Sequence, residues 1–259
     1  MNQSERRNFL IQSLLDESQE YHDLQIPSDS TGQRQLLRGL MNVRMAKKSS
    51  AEFLKIQDAY LQEDSAKKGV TDIEELTPVQ PGLYLWRGDI TALRCDAIVN
   101  AANSGMTGCY VPNHRCIDNC IHTFAGVQLR LYCEEMMEAQ GHAEPTGQAK
   151  ITKAYNLPCD YVLHTVGPIV SGRVTREDER LLASCYRACL TLAAQNGVES
   201  IAFCCISTGV FGYPQKIAAN VAVDAVRRHL SHNDSQLKVV FDVFLPSDEA
   251  IYQALLGTD

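Results

Sequence analysis

Cys109, His114 and Cys116 form C-x4-H-x-C, three thiol and imidazole groups within eight residues. These are donor types that hold zinc. Three of them on a short loop leave a fourth position open, as catalytic zinc requires, whereas structural zinc closes all four. Zinc held in this way can lower the pKa of a bound water, or bind and polarise a substrate hydroxyl. Cys120 and His122 follow closely. Either offers a fourth ligand for a closed structural site, or packs on a helix face with His122 donating a supporting hydrogen bond. A loop of free thiols without metal is a third reading.

The cluster lies in the stretch Asn100 to His122, whose Gly, Pro, Asn and Ser content makes it mostly loop. A strand, Asp96 to Asn100, leads into it, and a helix from about Cys116 leads out. Apolar, β-branched runs predict strands at 83–87, 97–100, 148–152, 161–166, 200–206 and 238–245. Helical patterns fall between and after them at 116–124, 127–139, 177–196, 214–230 and 249–256. The alternation predicts an α/β fold of three layers, α/β/α, with a mixed, largely parallel sheet. In such sheets ligands sit on the loops at the carboxyl ends of strands. Before this pattern, apolar residues at helical spacing predict three helices near 6–18, 34–45 and 50–63, then a charged linker over 64–81. The chain therefore divides into an N-terminal helical extension (1–75) and a main domain (76–259).

The formal net charge of -7 argues against a nucleic-acid partner. No apolar run reaches bilayer length and no signal core precedes the extension, so a cytoplasmic protein without a membrane partner is expected. In that compartment the ten cysteines are reduced thiols rather than a disulfide framework. Cys204 and Cys205 read as buried structural thiols in a strand, and Cys185 and Cys189 as one helix face. His142, His164, His229 and His232 have no partner pattern and read as structural or solvent-facing.

Two further loops carry unusual chemistry. Trp86 to Thr91 places Asp89 at the end of the first strand, and Ile206 to Lys216 sets Gly209 and Gly212 before Pro214. Small residues there let backbone approach a ligand, and successive N–H groups at a helix start form a nest for phosphate oxygens. The loop fits neither the P-loop nor the Rossmann fingerprint.

Five segments in this order, GDIT (88–91), DAIVNAAN (96–103), PTGQA (145–149), YVLHTVGP (161–168) and ISTGVFGYP (206–214), resemble the signatures of the macrodomain family. The resemblance implies a macrodomain fold that binds ADP-ribose. Asp89 would accept from the adenine amine with Ile90 beside it. Asn103 would meet the distal ribose, and Ser207, Thr208, Gly209, Val210, Phe211, Gly212 and Tyr213 would cradle the diphosphate, with Phe211 against the distal ribose. Asp118 takes the place of the family aspartate, while the usual glycines before it are replaced by the Cys/His cluster. That departure resembles the zinc-dependent bacterial branch, associated with sirtuin-type ADP-ribosyltransferases and lipoylation proteins. It implies zinc (Zn) at Cys109, His114 and Cys116, and a hydrolase that removes mono-ADP-ribose from protein. A lipoylated carrier of the glycine-cleavage-H type is the implied partner. Asp118 would orient water or take its proton, and Asn103 would fix the ribose. The alternatives are a non-catalytic ADP-ribose reader and an O-acetyl-ADP-ribose deacetylase. For Asn100 the expected role is only to brace the loop.

Overall fold

The computed structural model describes residues 1–232 and 236–257; the side chain of His232 lies outside this set. Three helices come first: α1 (Gln3–Asp16), α2 (Ser30–Val43) and α3 (Ala51–Lys68). Each starts at a residue whose side chain accepts from the first turn, respectively Asn2, Asp29 and Ser50. Their apolar stripes meet in a small core of Leu10, Ile11, Leu14, Leu37, Leu40, Phe53 and Tyr60, sealed by Val127 of the main domain. Burying each such side chain contributes about 1.5–3 kcal/mol. Helix α3 runs past the expected Glu63 because Lys67 and Lys68 pair with Glu63 and Asp64 one turn back. It stops at Gly69, whose φ is 91°.

A short parallel pairing of β1 (Thr71–Asp72) with β3 (Leu93–Arg94) forms a small sheet separate from the main one. The main sheet comprises β2 (Leu83–Arg87), β4 (Ala97–Ala102), β5 (Ala149–Lys153), β6 (Tyr161–Val166), β7 (Ser200–Phe203) and β8 (Lys238–Val243). Their order is β2-β8-β7-β4-β6-β5, parallel throughout except for β5 at the edge. Helices α4 (Ile117–Ala125), α5 (Val127–Gln140), α6 (Arg176–Gln195), α7 (Gln215–His232) and α8 (Pro246–Leu256) flank it. The result is a mixed, largely parallel sheet with flanking helices and N-terminal helices before it, as the alternation predicted.

Two boundaries differ instructively. Strand β7 ends at Phe203, not Ile206, because its pairing with β4 stops at Val99–Phe203 and Cys204–Cys205 turn into the next loop. Helix α8 begins earlier than expected, with Pro246 in its first turn. Asp96 does more than end a turn: its Oδ2 accepts from the N–H groups of Glu199 and Ser200, joining the starts of β4 and β7. Among the described residues no helix is long and apolar enough to cross a membrane.

Candidate active site

Because β2, β8, β7, β4 and β6 are parallel, the loops after them all leave one edge of the sheet. In spatial order these carry Asp89, Phe244, residues 207–213, Asn103 with the Cys/His cluster, and Gly167. From β2 to β4 is three strand spacings, about 14 Å. The sequence motifs are thus arrayed along one line rather than scattered.

At the β4 end the structure brings Cys109, His114 and Cys116 together, with their ligand atoms within 4.8 Å of one another. Cys109 Sγ lies 3.5 Å from His114 Nδ1. Ligands of a tetrahedral zinc with ordinary Zn–S and Zn–N bonds stand roughly 3.6 Å apart, so the donor set and spacing fit the ion. All three groups are partly exposed. Cys120 and His122 do not join this set. Cys120 faces Arg38 Nη2 at 3.3 Å. His122 is buried, and both ring nitrogens lack a hydrogen-bond partner. Its Nε2 stands 3.7 Å from Asp118 Oδ1, so the supporting hydrogen bond expected of it is not made. Burial instead holds its pKa well below the ordinary histidine value.

Beside the cluster Asp118 is 5% exposed in the first turn of α4. Its Oδ1 accepts from Asn100 Nδ2 at 2.8 Å and its Oδ2 from Asn103 Nδ2 at 3.2 Å. Burial raises the carboxyl to a pKa of about 6, against the opposing pull of Asn100, the Arg130 charge and Asn103. Asn100 Nδ2 also lies 3.1 Å from His164 Nδ1, and His164 Nε2 lies 3.0 Å from Thr152 Oγ1. An amide N–H faces Nδ1, so Nδ1 accepts and Nε2 carries the proton. Burial depresses the His164 pKa to about 3, which keeps this tautomer neutral. The sequence reading missed this chain. His164 had no partner pattern because its partners lie on two other strands, at Asn100 and Thr152. A second group of potential ligand atoms, His122, Cys133 and His164, is fully enclosed. There both nitrogens of His164 are already engaged.

The loop after β7 is a built turn. Thr208 N donates to Cys205 O, Gly212 N to Gly209 O, and Tyr213 N to Ser207 O. These bonds consume three of the seven N–H groups expected in the cradle and leave those of Ser207, Gly209, Val210 and Phe211, the last three in succession. Val170 N donates to Phe211 O at 2.8 Å, fastening the turn to the segment after β6. Ser207 has a φ of 67°, and its buried Oγ lies where a Cβ on Gly167 would come within 2.0 Å. That close approach explains the glycine of HTVGP. The Tyr213 ring is buried, its hydroxyl unpartnered, so the side chain supports the loop from below.

At the β2 end Asp89 Oδ1 accepts from Thr91 N at 3.0 Å and Thr91 Oγ1 at 2.6 Å. This caps a turn with Oδ1 on an exposed residue. Ile90 is 1% exposed and packs in the main core, so neither its side chain nor its backbone lines the surface beside Asp89.

A Macro domain signature matches residues 99–222. The chain is 59% identical over 261 residues, 99% of this chain and all of its relative, to a "Protein-ADP-ribose hydrolase" of Treponema medium. The chain belongs to the macrodomain family. A Staphylococcus aureus protein of the same name is 47% identical, over 98% of this macrodomain protein and 96% of its own length. Among solved structures, a Trypanosoma brucei macrodomain in complex with ADP-ribose superposes with a TM-score of 0.66 at 33% identity, covering 85% of this chain and 95% of that one.

One residue of this macrodomain's site edge escaped the sequence reading. Phe244 follows β8 and is 74% exposed, next to the loop that carries Asp89, where Gly88 N donates to Val243 O. An exposed aromatic ring just after the strand next to the one that leads into Asp89 is a surface on which a purine can stack. Its only signal in the sequence was a phenylalanine at the end of an apolar run.

Proposed function

We propose that this macrodomain is a zinc-dependent hydrolase that releases mono-ADP-ribose from modified proteins. The observation that carries the reading is the convergence of Cys109, His114 and Cys116 at the end of β4, beside the buried Asp118 carboxylate. A non-catalytic reader needs the Asp89 end and the phosphate turn but has no use for such a cluster. The printed name shared by relatives at 59% and 47% identity over the full chain supports hydrolysis.

In this reading Asp89 Oδ2 accepts from the adenine amine while Phe244 covers the ring face. The N–H groups of Gly209, Val210 and Phe211 hold the diphosphate, and Phe211 walls the distal ribose. Asn103 orients that ribose and Asp118 together. The glycosidic bond between the ribose anomeric carbon and the protein side chain breaks as water adds to that carbon: the side chain departs with the bonding electron pair and is protonated from solvent, and Asp118 Oδ2 takes the proton of the water. With Oδ1 fixed by Asn100 and the pKa near 6, the carboxylate is ionised yet basic at neutral pH. Cys109, His114 and Cys116 would hold the zinc ion, which supplies Lewis acidity at the distal ribose.

Residues 76–259 form the catalytic domain and 1–75 its extension. The specific partners to test are a lipoylated glycine-cleavage-H-like carrier and a sirtuin-type transferase, in the cytoplasm. The deciding experiment incubates the protein with a mono-ADP-ribosylated carrier and follows free ADP-ribose by chromatography. Tight ADP-ribose binding without release makes the protein a reader.

A further inference from the structure

The C-x4-H-x-C loop is poorly held by its own backbone. From Gly108 to Cys116, the one backbone–backbone hydrogen bond closed within the loop, among the described residues, is His114 N to Val111 O, and Asn113 sits at a φ of 57°. A loop so free cannot present three ligands together unless something outside it fixes the backbone, because each ordered residue costs about 1–2 kcal/mol of conformational entropy.

The fixing contacts come largely from helix α2 of the N-terminal extension. The two N–H groups of Arg38 Nη2 are shared among the carbonyl of His114 at 2.9 Å, Asn119 Oδ1 at 3.1 Å and Cys120 Sγ at 3.3 Å. Asn119, fully buried, turns its Nδ2 to the carbonyls of Cys109 and Val111 at 3.2 and 3.1 Å, and its N–H to Cys116 Sγ at 3.4 Å. A flipped Asn119 amide would set its NH2 against the guanidinium, so Arg38 also selects the Asn119 orientation that holds the Cys109 and Val111 carbonyls. One turn along α2, Asn42 Oδ1 accepts from Asn113 N at 2.9 Å, beside the ligand His114. A Cβ on Gly39 would lie 3.2 Å from Asn113 Nδ2, so helix and loop meet closely. Arg130 of α5 completes the frame, donating to Thr107 O at the start of the loop and to the carbonyls of Met41 and Asn42 in α2 and of Arg44 just after it.

We propose that Arg38 is a positioning residue for the metal-ligand loop, and that α2 thereby sets the geometry in which Cys109, His114 and Cys116 take their ion. The proposal rests on the zinc reading above. It gives the extension a role in the site although α2 carries none of the three ligands. Arg38 touches the backbone of His114 directly and that of Cys109 through the Asn119 amide, while Cys116 is held by the backbone N–H of Asn119 as the cap of α4. Groups that orient ligands from outside the metal's own shell are worth about 10–100-fold in metal affinity.

The test uses the full chain as wild type, Arg38→Met, Arg38→Lys and Gln57→Leu, each loaded with one equivalent of zinc. Gln57 ties α3 to the start of α5 through Val127 N and Gln128 and touches none of the loop contacts above, so it reports generic loosening of the extension. Zinc transfer to a colorimetric chelator and the melting temperature of the metal-free form are both recorded. Release is expected about 10–100-fold faster in Arg38→Met. Arg38→Lys, which keeps the charge on a shorter side chain, should be intermediate, and Gln57→Leu should lower the melting temperature with release within twofold of wild type. Wild-type release from Arg38→Met, or equal acceleration in Gln57→Leu, overturns the proposal. If Arg38→Met does not fold, Arg38→Lys decides alone: faster release at an unchanged melting temperature supports positioning, and wild-type release overturns it. A wild-type chain that takes up no zinc removes the zinc reading and this proposal together, whereas zinc held equally by all variants removes only the proposal.

Discussion

Asn100 and Asp118 are joined by a buried 2.8 Å hydrogen bond, and the same Asn100 nitrogen reaches His164 at 3.1 Å. The two hydrogens of one amide therefore fix a carboxylate on one side and a histidine tautomer on the other. Asn100→Ala removes both. It should cut turnover at least about 10-fold while leaving free ADP-ribose binding within threefold, because the Asp89 and phosphate ends are untouched. Single-turnover release and calorimetric binding on the same sample check this.

Asp118→Asn should lower turnover by about 10²–10⁴-fold, the usual worth of a positioned general base. It should still bind ADP-ribose. Loss of binding in place of turnover would mean that Asp118 serves the pocket's shape rather than proton transfer.

Gly209 offers the cleanest test of the phosphate turn. A Cβ there meets nothing within 4 Å, and the residue's φ lies outside the left-handed region. Gly209→Val should accordingly fold with a stability change below about 1 kcal/mol. It should weaken ADP-ribose at least about 10-fold, because the added side chain occupies the space a diphosphate would need. Unchanged affinity, measured by titration, would remove this loop from the ligand site.

His164 predicts a signature in acid stability. Its folded pKa of about 3 lies below the ordinary 6.5, so the unfolded chain binds a proton first as pH falls. The stabilisation from burying neutral His164 is therefore complete above pH 6.5 and is lost between pH 6.5 and about 3, by roughly 1.4 kcal/mol per pH unit. Asp118 and Asp242, whose carboxyls burial raises, act in the opposite sense in both proteins. The comparison of wild type with His164→Gln isolates the histidine. The stability advantage of wild type at pH 7.5 should shrink by about 3 kcal/mol or more by pH 4, read from urea unfolding at each pH.

Much of this site was legible because its motifs are local. Asp89 ends a strand, Asp118 starts a helix, and Cys109, His114 and Cys116 share one short loop, so alternation and residue type sufficed to locate them. The main strands were also legible, since their β-branched runs coincide with the buried sheet. What escaped was held by distance in sequence. Arg38 meets the cluster 76 residues away and His164 meets Asn100 64 residues away, and neither partner leaves a periodic mark. The cradle was overcounted for a related reason: hydrogen bonds inside the turn consume the N–H groups of Thr208, Gly212 and Tyr213, which no residue pattern reveals. Helix α3 outran its apolar stripe because ion pairs extend it where hydrophobic spacing stops.

The central claim is that the Cys/His cluster is catalytic. Its most direct test is zinc content together with ADP-ribose release from a mono-ADP-ribosylated protein, on wild type and on Cys116→Ala. The structure predicts about one zinc per wild-type chain with release of ADP-ribose, and loss of both in the variant, which should still bind free ADP-ribose through Asp89 and the phosphate turn. Undiminished release from a zinc-free Cys116→Ala chain would contradict the account.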